Sequence, residues 1–141
     1  MSTKKQNPFR LRDLRGVNPE HIARLEAIGI KKAGQMLLAG ATPEKRNALA
    51  EEAGIPEGAI LELVKLSDLA RLPGVKGIRA RLYYDSGVDC VEKLAAWEPQ
   101  ALLAMTAEFV EKTGFDGVAP LPKEVSSTIA NARNLPKVVE W

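Results

Sequence analysis

Lys76, Arg79 and Arg81 fall within six residues of one another, behind a Pro-Gly turn, in "LPGVKGIRARLYYDSGV" (72–88). The stretch reads as a tight turn followed by a helix that stops at Ser86-Gly87. Three cations then sit in the opening turns of a helix. That is the end where the macrodipole already carries partial positive charge. Free backbone N–H groups at the same end form a ready anion site. The chemistry this combination suits is the grip of a phosphate or another anion, with Gly74, Val75, Lys76, Gly77 and Arg79 as the contacting residues. The alternatives are an acidic surface, on this chain or a partner, and plain solvation.

A second basic group lies near the start, in "KKQNPFRLRDLR" (4–15), which carries Lys4, Lys5, Arg10, Arg12 and Arg15. Net charge is only +2, but it is unevenly placed. Residues 1–46 hold ten Lys and Arg against four Asp and Glu, and residues 67–81 hold four against one. Residues 47–66 hold one against four and residues 82–119 two against seven. A basic arm and a basic turn can straddle a phosphate backbone, with Arg10, Arg12 and Arg15 assisting the second turn. The same pattern also suits basic and acidic parts of one molecule facing each other, or self-association.

The elements that would hold these residues are helical. Ile22, Leu25 and Ile28 recur every three residues ahead of Gly29, a C-cap position. Thr42 and Pro43 open a helix that closes on Gly54. The run 56–72 presents Ile60, Leu61, Val64, Leu69 and Leu72 as a broad apolar face. "VEKLAAW", "PQALLAMTAEFVEKTG" and "PKEVSSTIANARNL" continue the pattern, and "FDGVAPLP" (115–122) is the clearest loop. No segment alternates with period two, so an all-α fold without a sheet is expected. The hydrophobic share is 45% and the aromatic share 5%, which makes the core aliphatic.

"LRGVNPEHIARLEAIGI" (14–30) aligns with 72–88 at a constant offset of 58, pairing Leu14, Gly16, Val17, Gly29 and Ile30 with Leu72, Gly74, Val75, Gly87 and Val88. Two copies of one supersecondary unit are the economical reading. The organisation expected is a disordered basic arm over 1–8, a first unit over 9–66, and a second over 67–141 that ends in a terminal helix and shares its core with the first.

In each copy a Gly and one aliphatic residue occupy a turn between short helices, framed by Leu69, Leu72, Gly74, Val75 and Ala80, or by Leu11, Leu14, Gly16, Val17 and Ile22. The frame resembles the helix-hairpin-helix motif, twice in tandem. More loosely, "LELVKLSDLARLPGV" and "EVSSTIANARNL" are similar to segments of small bacterial proteins of unknown function built from such repeats. The resemblance implies binding of duplex DNA or RNA backbone without sequence preference, through hairpin amides and nearby Lys or Arg. Neither copy has the second Gly of the binding form. The first has Asn18, Pro19 and Glu20 instead: Pro19 removes an N–H and Glu20 repels phosphate, so this turn reads as a capped helix start. The second has Lys76 and then Gly77, with every N–H present.

Features of an enzyme are sparse. His21 is the one histidine and Cys90 the one cysteine, and neither has neighbours at metal-ligand spacing. No phosphate-binding glycine loop occurs. No cofactor and no metal are expected. The N-terminal residues hold no apolar run, and nothing approaches the ~18 apolar residues of a membrane span; a cytoplasmic protein with no membrane association is expected. Of Tyr83 and Tyr84 one should pack; Trp141 should dock on the core or fill a neighbour's groove. The leading expectation is a non-enzymatic module that binds nucleic-acid backbone, and the alternative is a protein–protein scaffold whose hairpins only pack.

Overall fold

Proline at the first helical position opens four of the helices, and each time the missing N–H is one the helix could not have used. The computed structural model describes residues 9–141. The arm expected at 1–8 lies outside the described residues. Within them the chain forms eight α-helices and no strand: α1 (Pro19–Ala27), α2 (Ala33–Ala39), α3 (Pro43–Ala53), α4 (Glu57–Ala70), α5 (Gly77–Asp85), α6 (Val91–Ala95), α7 (Pro99–Thr113) and α8 (Pro122–Asn134). The caps follow side-chain chemistry. Asn18 accepts from the Glu20 N–H, Thr42 from Lys45 and Glu98 from Ala101. α3 and α7 end on Gly54 and Gly114, both left-handed, where a side chain would be strained.

α4 is the central element. Eight of its fourteen residues are buried, and it packs against α2, α3 and α5. α8 closes the other end against α6 and α7. The buried apolar side chains form one cluster from Leu11 to Val139, nearly all aliphatic, with Tyr83 its one fully buried aromatic ring. Residues after α8 return across the molecule. The Glu140 N–H donates to the Ala41 carbonyl at 2.7 Å, Val139 is buried, and the Trp141 ring lies 5.0 Å from the Lys65 ammonium and 5.8 Å from the Arg46 guanidinium. Trp141 therefore docks on its own chain.

The 58-residue offset persists in the backbone. α1 and α5 begin and end 58 apart, and α2 and α6 begin 58 apart. Gly16 and Gly74 have φ of 78° and 81°, Gly29 and Gly87 of 92° and 99°. One difference departs from expectation. The first turn is preceded not by an α-helix but by a 3-10 turn, Leu11–Asp13. Its backbone is engaged sideways instead: Leu11 N–H donates to Lys31 O, Ala33 N–H to Phe9 O, and Arg10 forms an isolated antiparallel bridge with Lys32. Those lateral bonds keep Arg10 extended and leave only the short 3-10 turn before Gly16.

The two turns touch. A Cβ on Gly77 would collide with the Asp13 carbonyl oxygen, and one on Gly16 would fall 2.9 Å from Arg81 Nε. Glycine is required at 77 by this close approach. Gly58, in the first turn of α4, has open space where a Cβ would stand. Gly77→Ala is expected to lower unfolding stability by about 1–3 kcal/mol through forced separation of the turns. Gly58→Ala is expected to raise it by about 0.5–1 kcal/mol through helix propensity. Denaturant unfolding of both variants checks the pair of opposite signs.

Candidate functional site at the glycine turns

The turn before α5 has the geometry its sequence demands. Gly74 is left-handed and exposed, Val75 is buried as a plug, and the Val75 N–H returns to Leu72 O at 3.1 Å. Lys76 is the N-cap of α5 and offers no side-chain acceptor to the helix amides. It is exposed, and among the described residues its ammonium has no hydrogen-bond or ion-pair partner. Gly77, the next member of the expected anion cradle, is buried against Asp13.

The arginines are engaged. Arg79 binds the Glu124 carboxylate through Nε at 2.7 Å and Nη2 at 3.3 Å, and the Val118 carbonyl through Nη1 at 2.7 Å. Arg81 donates to the Arg15 carbonyl at 2.8 Å, to Glu62 at 2.7 Å and to Asp85 at 3.1 Å, and its guanidinium lies 5.3 Å from the Tyr84 ring centre. The cations that look misplaced at the head of α5 thus face carboxylates from α4, α5 and α8. Their side chains are only 15% and 12% exposed, while the carboxylates they bind are about a third exposed, so the contacts are partly shielded from water.

The first turn is more open. Arg10 pairs with Asp13, Arg12 binds Glu26 through two nitrogens at 3.0 and 3.1 Å, and Arg15 reaches Asp116 at 3.2 Å. Asp116 is almost fully exposed, so the last pair contributes little. The bond from Arg12 holds the Glu26 carboxyl below its ordinary range, and the charges of Lys31 and Arg10 act in the same direction. Lys31 and Lys32 were not among the residues singled out from sequence. The bridge from Arg10 to Lys32 brings them beside the first turn, and only the "KK" doublet itself hinted at them. The structure therefore gathers Arg10, Arg12, Lys31 and Lys32 in one place. It sets Arg15 next to Gly77, and it ties Arg79 and Arg81 into the interior.

Other residues with chemical potential are quiet. Cys90 is buried, and burial pushes its thiol pKa up, away from reactive thiolate. His21 is half-buried beside the Asn18 cap. No group of three or more His, Cys, Asp or Glu suited to a metal occurs among the described residues. No helix there is long and apolar enough to cross a membrane. Tyr84 packs under Arg81, and Tyr83 is fully buried.

Residues 15–135 match the family described as "Domain of unknown function (DUF4332)". The chain belongs to this family. Comparison with curated proteins and with solved structures gave no match. The DUF4332 match takes in both glycine turns, with Arg15, Gly74, Val75, Lys76, Gly77 and Arg79 inside it, and leaves out Arg10, Arg12 and the segment after Leu135.

Two expectations separate architecture from open surface. Arg81→Ala leaves Glu62 and the Arg15 carbonyl without their donor and should cost about 2–4 kcal/mol of stability. Lys76→Ala should stay within about 0.5 kcal/mol of the parent, as an exposed substitution without contacts does. Chemical denaturation measures both. Alkaline pH supplies a further check. Burial pushes the Tyr83 phenol up to about 12, whereas an unfolded tyrosine ionises near 10. The folded state holds its proton where the unfolded state releases it. Stability therefore falls as pH rises from about 10 toward 12. Tyr83→Phe should flatten that fall, leaving a smaller slope from Tyr84, whose phenol burial also raises.

Proposed function

We propose that this chain is a non-enzymatic protein-interaction module, two tandem helix-hairpin-helix units whose hairpins act as packing devices. The observation that carries this reading is the engagement of Arg79 and Arg81 by Glu124, Glu62, Asp85 and two backbone carbonyls. A phosphate arriving at α5 would have to displace carboxylates already held at 2.7 Å by half-buried guanidinium groups. The backbone geometry that recurs at an offset of 58 supports the tandem description. A free, buried Cys90 suits a reducing cytoplasm.

One observation favours a second reading, non-specific binding of duplex DNA or RNA backbone. Lys76 stands without an internal partner at the uncapped start of α5, and Arg10, Arg12, Lys31 and Lys32 form a basic surface at the first turn. Here the contacts would be Lys76, Arg15 and that surface, with Arg79 and Arg81 in support of the fold.

Titration of labelled duplex DNA and duplex RNA across a salt series, with the parent and with Lys76→Glu, decides between the two. The interaction-module reading expects no saturable binding at near-physiological salt and no difference between the proteins. Micromolar binding that falls linearly in log–log form with salt and is lost in a folded Lys76→Glu variant overturns it in favour of the backbone reading.

A further inference from the structure

Several charged side chains at the surface have no partner among the described residues, and two of them, Lys45 and Glu52, border an apolar groove. On the outer face of α3, Lys45, Ala48 and Glu52 follow one another at spacings of three and four, so they share a stripe along the helix. Among the described residues neither the Lys45 ammonium nor the Glu52 carboxylate has a hydrogen-bond or ion-pair partner. The stripe borders a groove of about 310 Å³ whose apolar lining includes Ile28, Ile30 and Leu38. Leu38 is 62% exposed and Ile28 38%. Two of the exposed large apolar side chains thus converge beside a stripe of α3 that carries Lys45 at one end and Glu52 at the other.

That arrangement is self-complementary. Lys45 and Glu52 are seven residues apart, about two helical turns or ~10 Å. If a second α3 lies antiparallel across the first, with a two-fold axis at Ala48, each Lys45 faces the other copy's Glu52, and the two ion pairs form together. Ala48 at the crossing point leaves room for two helices to approach at the usual 8–10 Å. Each Leu38 then covers the apolar groove of the other copy. We infer that this face is the contact surface of a two-fold dimer of this chain, with Lys45 and Glu52 setting its register and Leu38 its apolar anchor. The inference rests on the reading of the chain as an interaction module and names a second copy as its partner. The nucleic-acid titration and the test below fail independently, so loss of one leaves the other standing.

Sedimentation velocity on the whole chain, from micromolar to millimolar concentration, tests it. The parent should show reversible dimerisation. Lys45→Glu alone and Glu52→Lys alone each turn both ion pairs into repulsions and should weaken it by about tenfold or more. Both substitutions improve the charge match to the α3 macrodipole, Lys45 lying in its first turn and Glu52 in its last, so helix loss is not the cause of a monomer. Leu38→Glu, at an exposed position, should likewise give a folded monomer by circular dichroism. The decisive arm mixes the two single variants. In a mixed pair every facing position is again Glu against Lys, so the mixture should regain the dimer that neither variant forms alone. The double variant Lys45→Glu/Glu52→Lys should regain it too. A parent that stays monomeric at every concentration overturns the inference, as does a dimer indifferent to these substitutions or a mixture that fails to associate.

Discussion

Arg81 is the joint on which the molecule turns. Its guanidinium leaves α5, passes the glycine at the first turn, and meets a backbone carbonyl there, a carboxylate of α4 and one of its own helix. A half-buried guanidinium with fewer acceptors would be costly, and with all of them it holds three segments at fixed distances. Two glycines follow from that geometry. Gly16 must lack a Cβ because Arg81 occupies its place, and Gly77 must lack one because the Asp13 carbonyl does. The contact between the turns is thus a mesh of one long cation and two missing side chains.

The same use of arginine recurs through the fold. Helix C-termini leave carbonyls without partners, and this chain meets several of them with guanidinium groups. Arg46 donates to Gly40 at the end of α2, Arg24 to Gly54 at the end of α3, and Arg133 to Ala95 at the end of α6. Arg46 also holds the Trp141 carbonyl, and Arg71 holds that of Pro136, so the segment after α8 is fastened to the body by the same chemistry. The positive ends of these side chains complement the negative ends of the helix dipoles. A sequence rich in arginine near its turns therefore need not present a basic surface. Much of the charge serves as caps and struts.

That bears on how the chain should be understood as a DUF4332 member. Its two glycine turns bring main-chain groups and long cations into contact. The turns are closed upon themselves around Asp13, Glu62 and Glu124, and Lys76, the lysines near Arg10 and the charged stripe on α3 are among the side chains left without a partner among the described residues.

Much of the fold was open to reading from residues alone, because local chemistry dictates it. Proline at the first position, Asn18 and Thr42 as caps, and left-handed glycines at 16, 54, 74 and 114 are decisions of a few neighbouring residues, and the 58-residue offset is carried by such residues. The aliphatic periodicity named the core faces, Val75 sits where the turn frame requires, and of the two tyrosines it is Tyr83 that packs. The destination of a long charged side chain is different. Arg79 spans to residue 124, Arg81 to residue 62 and Arg15 to residue 116, and no local pattern encodes partners 19 to 101 positions away. The lateral bonds that turn residues 11–13 into a 3-10 turn come from Lys31 and its neighbours, across the gap filled by α1. Sequence by itself determined the helices, their ends and the two glycine turns, since those depend on backbone dihedrals and nearest neighbours. Only the tertiary structure decided which cations remain free to meet another molecule, since that depends on which carboxylates and carbonyls the packing of α4 and α8 brings within reach.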